Sequence, residues 1–220
     1  MREGRCFIAG AGDLCVRGLN PGPGDMLIAA DGGYAGLRRL GFYPDLVIGD
    51  MDSYRGSVRG VPLLRFPVRK DDTDLALAVK AGRSQGFRRF VLYGASGGAR
   101  EDHFLAALQL MAGQSRKGLL MRLTAPDFDV YALHNAILPI STRDGMTVSV
   151  FSHSRQSLGV TLKGLRYEAA DLRLQSGFPM GVSNAAMGSR ALIGVRQGTL
   201  LVWVQTSPQL SLSLDEVREM

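Results

Sequence analysis

The chain changes character near Ala125-Pro-Asp127. Before that point short apolar runs alternate with segments of helical period; after it the helical period disappears. Strands are predicted over Arg5–Ala9, Met26–Ala30, 46–48, 63–66, 90–93 and 119–123, and helices over 33–40, 73–84 and 101–112. In the second helix Leu75, Ala78, Val79 and Gly82 share a face, and in the third Phe104, Leu105, Leu108, Met111 and Ala112 do. Such alternation builds an α/β layer around a mostly parallel sheet. Downstream, Val148/Val150, Leu158/Val160/Leu162 and Leu200/Val202/Val204 follow a period of two. Turn residues at Arg143-Asp-Gly145, Lys163-Gly164 and Gln197-Gly198 separate these runs, which predicts a small antiparallel sandwich or barrel. The expected organisation is an α/β domain over 1–125 and an all-β domain over 126–220. Trp203, the one tryptophan, sits in an alternating strand and is expected in the core.

Composition narrows the function classes. With 220 residues and 45% hydrophobic content the chain can bury a sizeable core. The net charge is +6, but no basic run exceeds two residues and aromatics are not interleaved with the arginines. A nucleic-acid binder concentrates such charge on one face or helix, so no nucleic-acid partner is expected. Scattered surface arginines remain, some of them placed to steer an anionic substrate. Cys6 and Cys15 are too few for a disulfide framework or a cysteine-rich zinc site; Cys6 is expected to be buried in its strand. Gly10, Gly12 and Asp13 interrupt the first apolar stretch too soon for a signal peptide, and no run approaches the roughly 20 residues needed to span a bilayer. The expectation is a cytoplasmic enzyme with no membrane partner.

The chemistry-bearing residues gather where predicted strands end. Asp31 follows the second strand and precedes Gly32-Gly33. Read alone, this is a strand-to-helix turn with Asp31 as a cap and permissive glycines. Asp50-Met-Asp52-Ser53 follows the apolar run 46–48. Two carboxylates at that spacing repel unless a cation or donors offset their proximity, which favours a metal site over a polar turn. Lys70-Asp-Asp-Thr-Asp74 caps the second helix, and a helix amino terminus also attracts phosphate. Gly97-Gly98-Ala-Arg100-Glu-Asp102-His103 occupies the same position before the third helix, with glycine N–H groups open to an anion and Arg100 able to pair with phosphate oxygens. His103 has no partner at metal-ligand spacing and reads as a structural helix-start histidine. The glycines after the first strand lack the third glycine of a dinucleotide fingerprint, and no Gly-Lys-Ser/Thr occurs, which argues against Rossmann and Walker-type binding.

Taken in order, Asp31-Gly-Gly33, Pro44-Asp45, Gly49-Asp-x-Asp-Ser53, residues 71–74 with Leu75, and Gly97-Gly98 with Arg100 and Asp102-His103 resemble the thiamine pyrophosphokinase family. The resemblance continues at lower density in Gly164-Leu-Arg-Tyr167 and Ser183-Asn184. It implies an α/β catalytic domain, an all-β thiamine-binding domain and a homodimer with shared active sites. It also implies transfer of the terminal pyrophosphate of ATP to the hydroxyethyl oxygen of thiamine, with release of AMP and a requirement for magnesium. By position, Asp50, Asp52, Asp74 and Asp102 are the implied catalytic residues, with Asp50, Asp52 and Asp74 on the metal. Asp31, Gly32, Lys70, Thr73, Gly98 and Arg100 are the implied nucleotide-binding residues, and Tyr167, Ser183 and Asn184 face thiamine. Loose phosphoryl transition states are served by positioning and cation neutralisation, which matches many aspartates and no evident nucleophile. Asp74 or Asp102 stands to orient the acceptor hydroxyl.

The chain departs from the family pattern in three places: Tyr167 replaces a tryptophan, the segment 97–103 holds one extra residue, and Ala107 stands where asparagine is common. Other classes compete. A haloacid-dehalogenase-type phosphatase also uses Asp-x-Asp after a strand, but on its first strand, whereas here the motif follows the third. A pyrophosphokinase acting on a pterin alcohol, and a non-catalytic nucleotide or vitamin sensor, use the same scaffold logic.

Overall fold

The computed structural model describes residues 2–50, 58, 60–66, 72–98, 100–206 and 217–219. The chain folds as two compact units. The first comprises Met1–Leu110 and Leu123–Pro126, the second Met111–Arg122 and Asp127–Met220.

In the first unit β1 (Arg5–Ala9), β2 (Met26–Ala30), β3 (Leu46–Gly49), β4 (Leu63–Arg65) and β5 (Arg89–Tyr93) lie in the order β4-β3-β2-β1-β5. Every adjacent pair among them is parallel. Strands covered on both faces read as continuous apolar runs rather than alternating ones, and Cys6, Phe7, Ile8 and Ala9 of β1 are all buried. Burial, reinforced by the charge of Asp45, pushes the Cys6 thiol up to about 12, so it is an inert core residue. Between these strands run α1 (Gly33–Arg39) and α2 (Asp74–Ser84). A β-carbon at Gly82 of α2 would lie 2.7 Å from Cys6 Sγ and 2.8 Å from the Phe90 ring, which fixes how closely this helix rests on β1 and β5. Asp45 has a structural task, since its carboxylate accepts the Leu27 N–H at 2.8 Å beside β2.

The helix α3 (Glu101–Ser115) and β6 (Leu120–Thr124) follow. The predicted face of α3 is partly wrong: Leu105 is 63% exposed, and the buried stripe is Ala107, Met111, Ala112, Gln114 and Ser115. Apolar periodicity alone overlooked the small and polar residues that permit close packing.

The second unit contains β7 (Phe128–His134), β8 (Ala136–Ser141), β9 (Thr147–Ser152), β10 (Gln156–Lys163), β11 (Ala169–Gln175), β12 (Asn184–Ala185), β13 (Arg190–Gly194), β14 (Thr199–Gln205) and β15 (Arg218–Glu219). They pair antiparallel in two runs, β12-β9-β14-β7 and β11-β10-β13-β8-β15. Val148, Val150, Val160, Leu162, Leu200, Val202 and Val204 are buried, as their period of two requires. Trp203 is only half-buried, because the same period turns it to the face opposite Val202 and Val204, where it stacks on Phe128 at 5.5 Å. Between the neighbouring strands β6 and β7 the buried Arg122 Nη2 meets the buried Asp129 Oδ2 at 2.9 Å.

Candidate active site

The strand order of the first unit reverses at β1: the chain moves outward through β2, β3 and β4, then returns to β5 on the other side. Loops leaving the carboxyl ends of β1 and β5 part at such a point and leave a crevice. Here they are tied together by their backbones. Gly10 N–H donates to Tyr93 O and Gly12 N–H to Gly94 O, both at 2.8 Å, and Asp13 N–H donates to Ser96 O at 2.9 Å. A β-carbon at Gly94 would stand 2.5 Å from Gly10 O, and one at Gly12 2.5 Å from Ser96 O. Only glycine permits this interlock.

A cavity of about 440 Å³ opens above these loops, a volume suited to a small-molecule substrate. Its acidic wall comes from two adjacent strand ends and one helix start: Asp31 after β2, Asp50 after β3, and Asp74, the first residue of α2. Asp31 adopts a left-handed backbone (φ 46°) with its N–H on Ile48 O at 2.7 Å. Gly49 (φ 151°) lies against it, and a β-carbon there would meet Asp31 Cα at 3.1 Å. A glycine ahead of Asp50 is thus what lets the second carboxylate emerge beside the first. Thr73 caps α2, its Oγ1 accepting the Ala76 N–H at 3.2 Å, and also lines the cavity.

The loop after β5 lines the same cavity. Gly97 and Gly98 are consecutive left-handed residues (φ 73° and 76°), and Arg100 follows. The Arg100 guanidinium grips Asp102 in a two-pronged ion pair, Nε to Oδ1 at 2.9 Å and Nη2 to Oδ2 at 2.8 Å. That contact holds the Asp102 carboxyl down at about 2. Arg100 lines the cavity while Asp102 does not.

The structure therefore brings Asp31, Asp50, Thr73, Asp74, Gly98 and Arg100 to one cavity, with Gly32 just behind at the start of α1. Asp52 and Lys70 lie outside the described residues. Gly10, Gly12 and His103 also line the cavity; the first two were readable as strand-end glycines although they form no dinucleotide fingerprint.

In the second unit Tyr167 stands 69% exposed on the turn between β10 and β11, and Ser183 is exposed with a left-handed backbone (φ 59°). Asn184 is different from both. It is buried, and its side-chain amide is engaged with the main chain of Tyr167.

Two sequence models of the thiamin pyrophosphokinase family match the chain: the catalytic domain over residues 23–122 and the vitamin B1 binding domain over residues 135–200. Together they span well over half of it. The chain belongs to the thiamin pyrophosphokinase family. It is accordingly an enzyme, a thiamine diphosphokinase that transfers pyrophosphate from ATP to thiamine. No curated protein sequence matches. Among solved structures, the fold is similar to thiamine pyrophosphokinase from Bacillus subtilis, with TM-score 0.82 at 22% identity over 93% of this chain and 99% of that one. It is similar to the Geobacillus thermodenitrificans enzyme, with TM-score 0.79 at 21% identity over 93% and 99%. The Candida albicans enzyme gives TM-score 0.75 at 12% identity over 92% and 89%. Among the described residues no helix is long and apolar enough to cross a membrane.

Proposed function

We propose that the cavity of the first unit is the magnesium-nucleotide site of this pyrophosphokinase, that Tyr167 and Ser183 of the second unit face thiamine, and that the enzyme works in the cytoplasm as a homodimer. The observation that carries the nucleotide reading is the lining of one cavity, which combines carboxylates from Asp31, Asp50 and Asp74 with left-handed glycines and Arg100. A polyphosphate with its cation needs both signs of charge within one crevice.

The donor set suits magnesium, since it consists of hard oxygens without sulfur. Among the described residues no group of three acidic, histidine or cysteine side chains is close enough to enclose an ion alone. Magnesium takes one or two carboxylates and completes its shell with phosphate oxygens and water. Asp50 and Asp74 would hold it, with Asp52 as the further carboxylate named by the motif. When bound, it neutralises charge on the transferring pyrophosphate.

The remaining work falls to the chain. Arg100 and the N–H groups around Gly97 and Gly98 bind phosphate oxygens, and the amino terminus of α2, with Thr73 as its cap, adds a favourable dipole. In the transfer, the thiamine hydroxyl oxygen forms a bond to the β-phosphorus. The bond from that phosphorus to the oxygen bridging the α-phosphate breaks, AMP leaves with the bridging oxygen, and the hydroxyl proton passes to solvent or to Asp74. Positioning the hydroxyl in line with the breaking bond supplies much of the rate.

Incubation with magnesium-ATP and thiamine tests this reading, with a pterin alcohol and an acceptor-free sample as controls. AMP formed one-for-one with thiamine diphosphate is the expected result. Stoichiometric ADP with thiamine monophosphate would refute the mechanism, and turnover with the pterin alcohol alone would replace the acceptor.

A further inference from the structure

We infer that Asn184 acts as a positioning residue: its buried amide clamps the main chain of Tyr167 and so presents the exposed Tyr167 ring to thiamine in a fixed place. This rests on the reading that Tyr167 faces thiamine, and extends it from the ring to what holds the ring.

The amide is used on both sides. Asn184 Oδ1 accepts the Tyr167 N–H at 3.0 Å, and Asn184 Nδ2 donates to Tyr167 O at 2.7 Å. The same Oδ1 accepts the Ala185 N–H at 2.9 Å, so both lone pairs of the carbonyl oxygen are taken. At 6% exposure the group has little contact with solvent, and it can offer a ligand no more than one N–H. Asn184 is therefore poorly equipped to recognise thiamine directly and well equipped to hold its neighbour. A side chain bonding both polar groups of one residue imitates a strand partner, 17 positions away in sequence.

The surroundings extend that imitation. Arg166 N–H donates to Ala185 O at 2.7 Å, Leu165 and Ala186 form an isolated bridge, and Met187 N–H donates to Gly164 O at 2.9 Å. The turn bearing Tyr167 is thus laced to the segment 184–187 at each step. Asn184 is itself anchored opposite Val148 of β9, and the left-handed Ser183 before it gives its N–H to Ser149 Oγ at 3.0 Å. The Tyr167 ring, by contrast, projects into solvent. A ring on a loose turn must be ordered when substrate arrives, whereas a ring on a pinned main chain has lost that freedom already.

The test combines amide hydrogen exchange with kinetics on the full-length enzyme, using Asn184→Ala, Tyr167→Ala and the double variant, with melting temperatures to confirm folding. Asn184→Ser, which removes the side-chain amide that bonds Tyr167 while keeping a polar side chain, serves if Asn184→Ala does not fold. Exchange at the Tyr167 amide is expected to accelerate by about tenfold or more in Asn184→Ala, as for a hydrogen bond lost from a protected site. The thiamine KM should rise, by no more than Tyr167→Ala raises it, while kcat and the ATP KM stay within about twofold. The double variant should match Tyr167→Ala, because the two residues act in series. A double variant whose thiamine KM is the product of the two separate increases would overturn the inference, giving Asn184 its own contact with substrate. Unchanged exchange at Tyr167 would overturn the clamp whatever the kinetics. Accelerated exchange with a thiamine KM unmoved by either substitution would instead reject Tyr167 as a thiamine residue, and with it the clamp's part in recognition.

Discussion

The cavity proposed for the nucleotide and the Tyr167 turn proposed for thiamine would hold their ligands in opposite ways. In the first unit, main-chain geometry shapes the cavity: strand ends stop at aspartates, glycines take conformations closed to other residues, and a helix begins at the rim. In the second, one aromatic side chain stands in solvent and a buried amide ties its backbone down. The difference teaches where each site is fragile. A site made of backbone fails when a β-carbon is added, and a site made of a side chain on a turn fails when that side chain or its tether is removed.

The largest effect should come from the acidic wall. Asp50→Asn is expected to lower kcat by about a hundredfold or more, several kcal/mol of transition-state stabilisation, with an unchanged melting temperature. Asp52→Asn should do likewise. Near-normal turnover at saturating magnesium would remove the metal role from that wall and break the contrast at its stronger side.

Next comes the glycine interlock. Gly94→Ala combines a left-handed backbone (φ 57°) with a β-carbon 2.5 Å from Gly10 O, so a loss of about 1–3 kcal/mol of stability is expected, read from the denaturation midpoint. The same substitution at Gly113, whose β-carbon would meet nothing within 4 Å, is the control. Equal behaviour of the two variants would show that the interlock is not under steric control.

Tyr167 should respond more mildly. Tyr167→Phe and Tyr167→Trp should retain thiamine affinity, whereas Tyr167→Ala should raise the thiamine KM by the equivalent of about 0.5–1.5 kcal/mol. An unmoved KM would make the ring a structural ornament of the turn.

How far the sequence disclosed these sites follows from the same contrast. That Asp31, Asp50, Asp74 and Gly98 lie at strand ends and helix starts around one cavity was legible because each sits within a few residues of the signal that positions it. The three helices and the strands of the first unit were legible for the same reason, to within a residue or two at most boundaries. The role of Asn184 was not: its partner lies on another turn, and nothing in Ser183-Asn184 reports a bond to Tyr167. Trp203 was misplaced because a period of two states that faces alternate, not which of them is covered. Leu105 was misplaced because the face was drawn through the wrong members of the apolar set, while Ala107, Gln114 and Ser115 are buried beside Met111 and Ala112.

The smallest effect concerns pH. Burial, then the charge of Arg116, lowers the His153 imidazole from its ordinary value. A folded-state value below the unfolded one means that the unfolded chain takes up the proton first, so stability is present above the ordinary imidazole range and falls as the pH drops through it. Melting temperature should decline slightly between about pH 7.5 and 5.5, and less so in His153→Gln. An identical decline in both proteins would assign it elsewhere.

The buried pair of Arg122 and Asp129 has a consequence for how such a protein can be inherited in pieces. Arg122 ends the segment Met111–Arg122, and Asp129 lies beyond the stretch Leu123–Pro126 that returns to the first unit. The second unit is thus assembled from two lengths of chain. A fragment cut at the obvious border, beginning at Asp127, would carry the Asp129 carboxylate without the Arg122 guanidinium that meets it in the folded chain. The vitamin-binding half is therefore not a cassette to be lifted out or grafted at a single seam. The chain crosses that seam more than once, and recombination that respects the fold must carry the end of α3 and the start of β6 along with it.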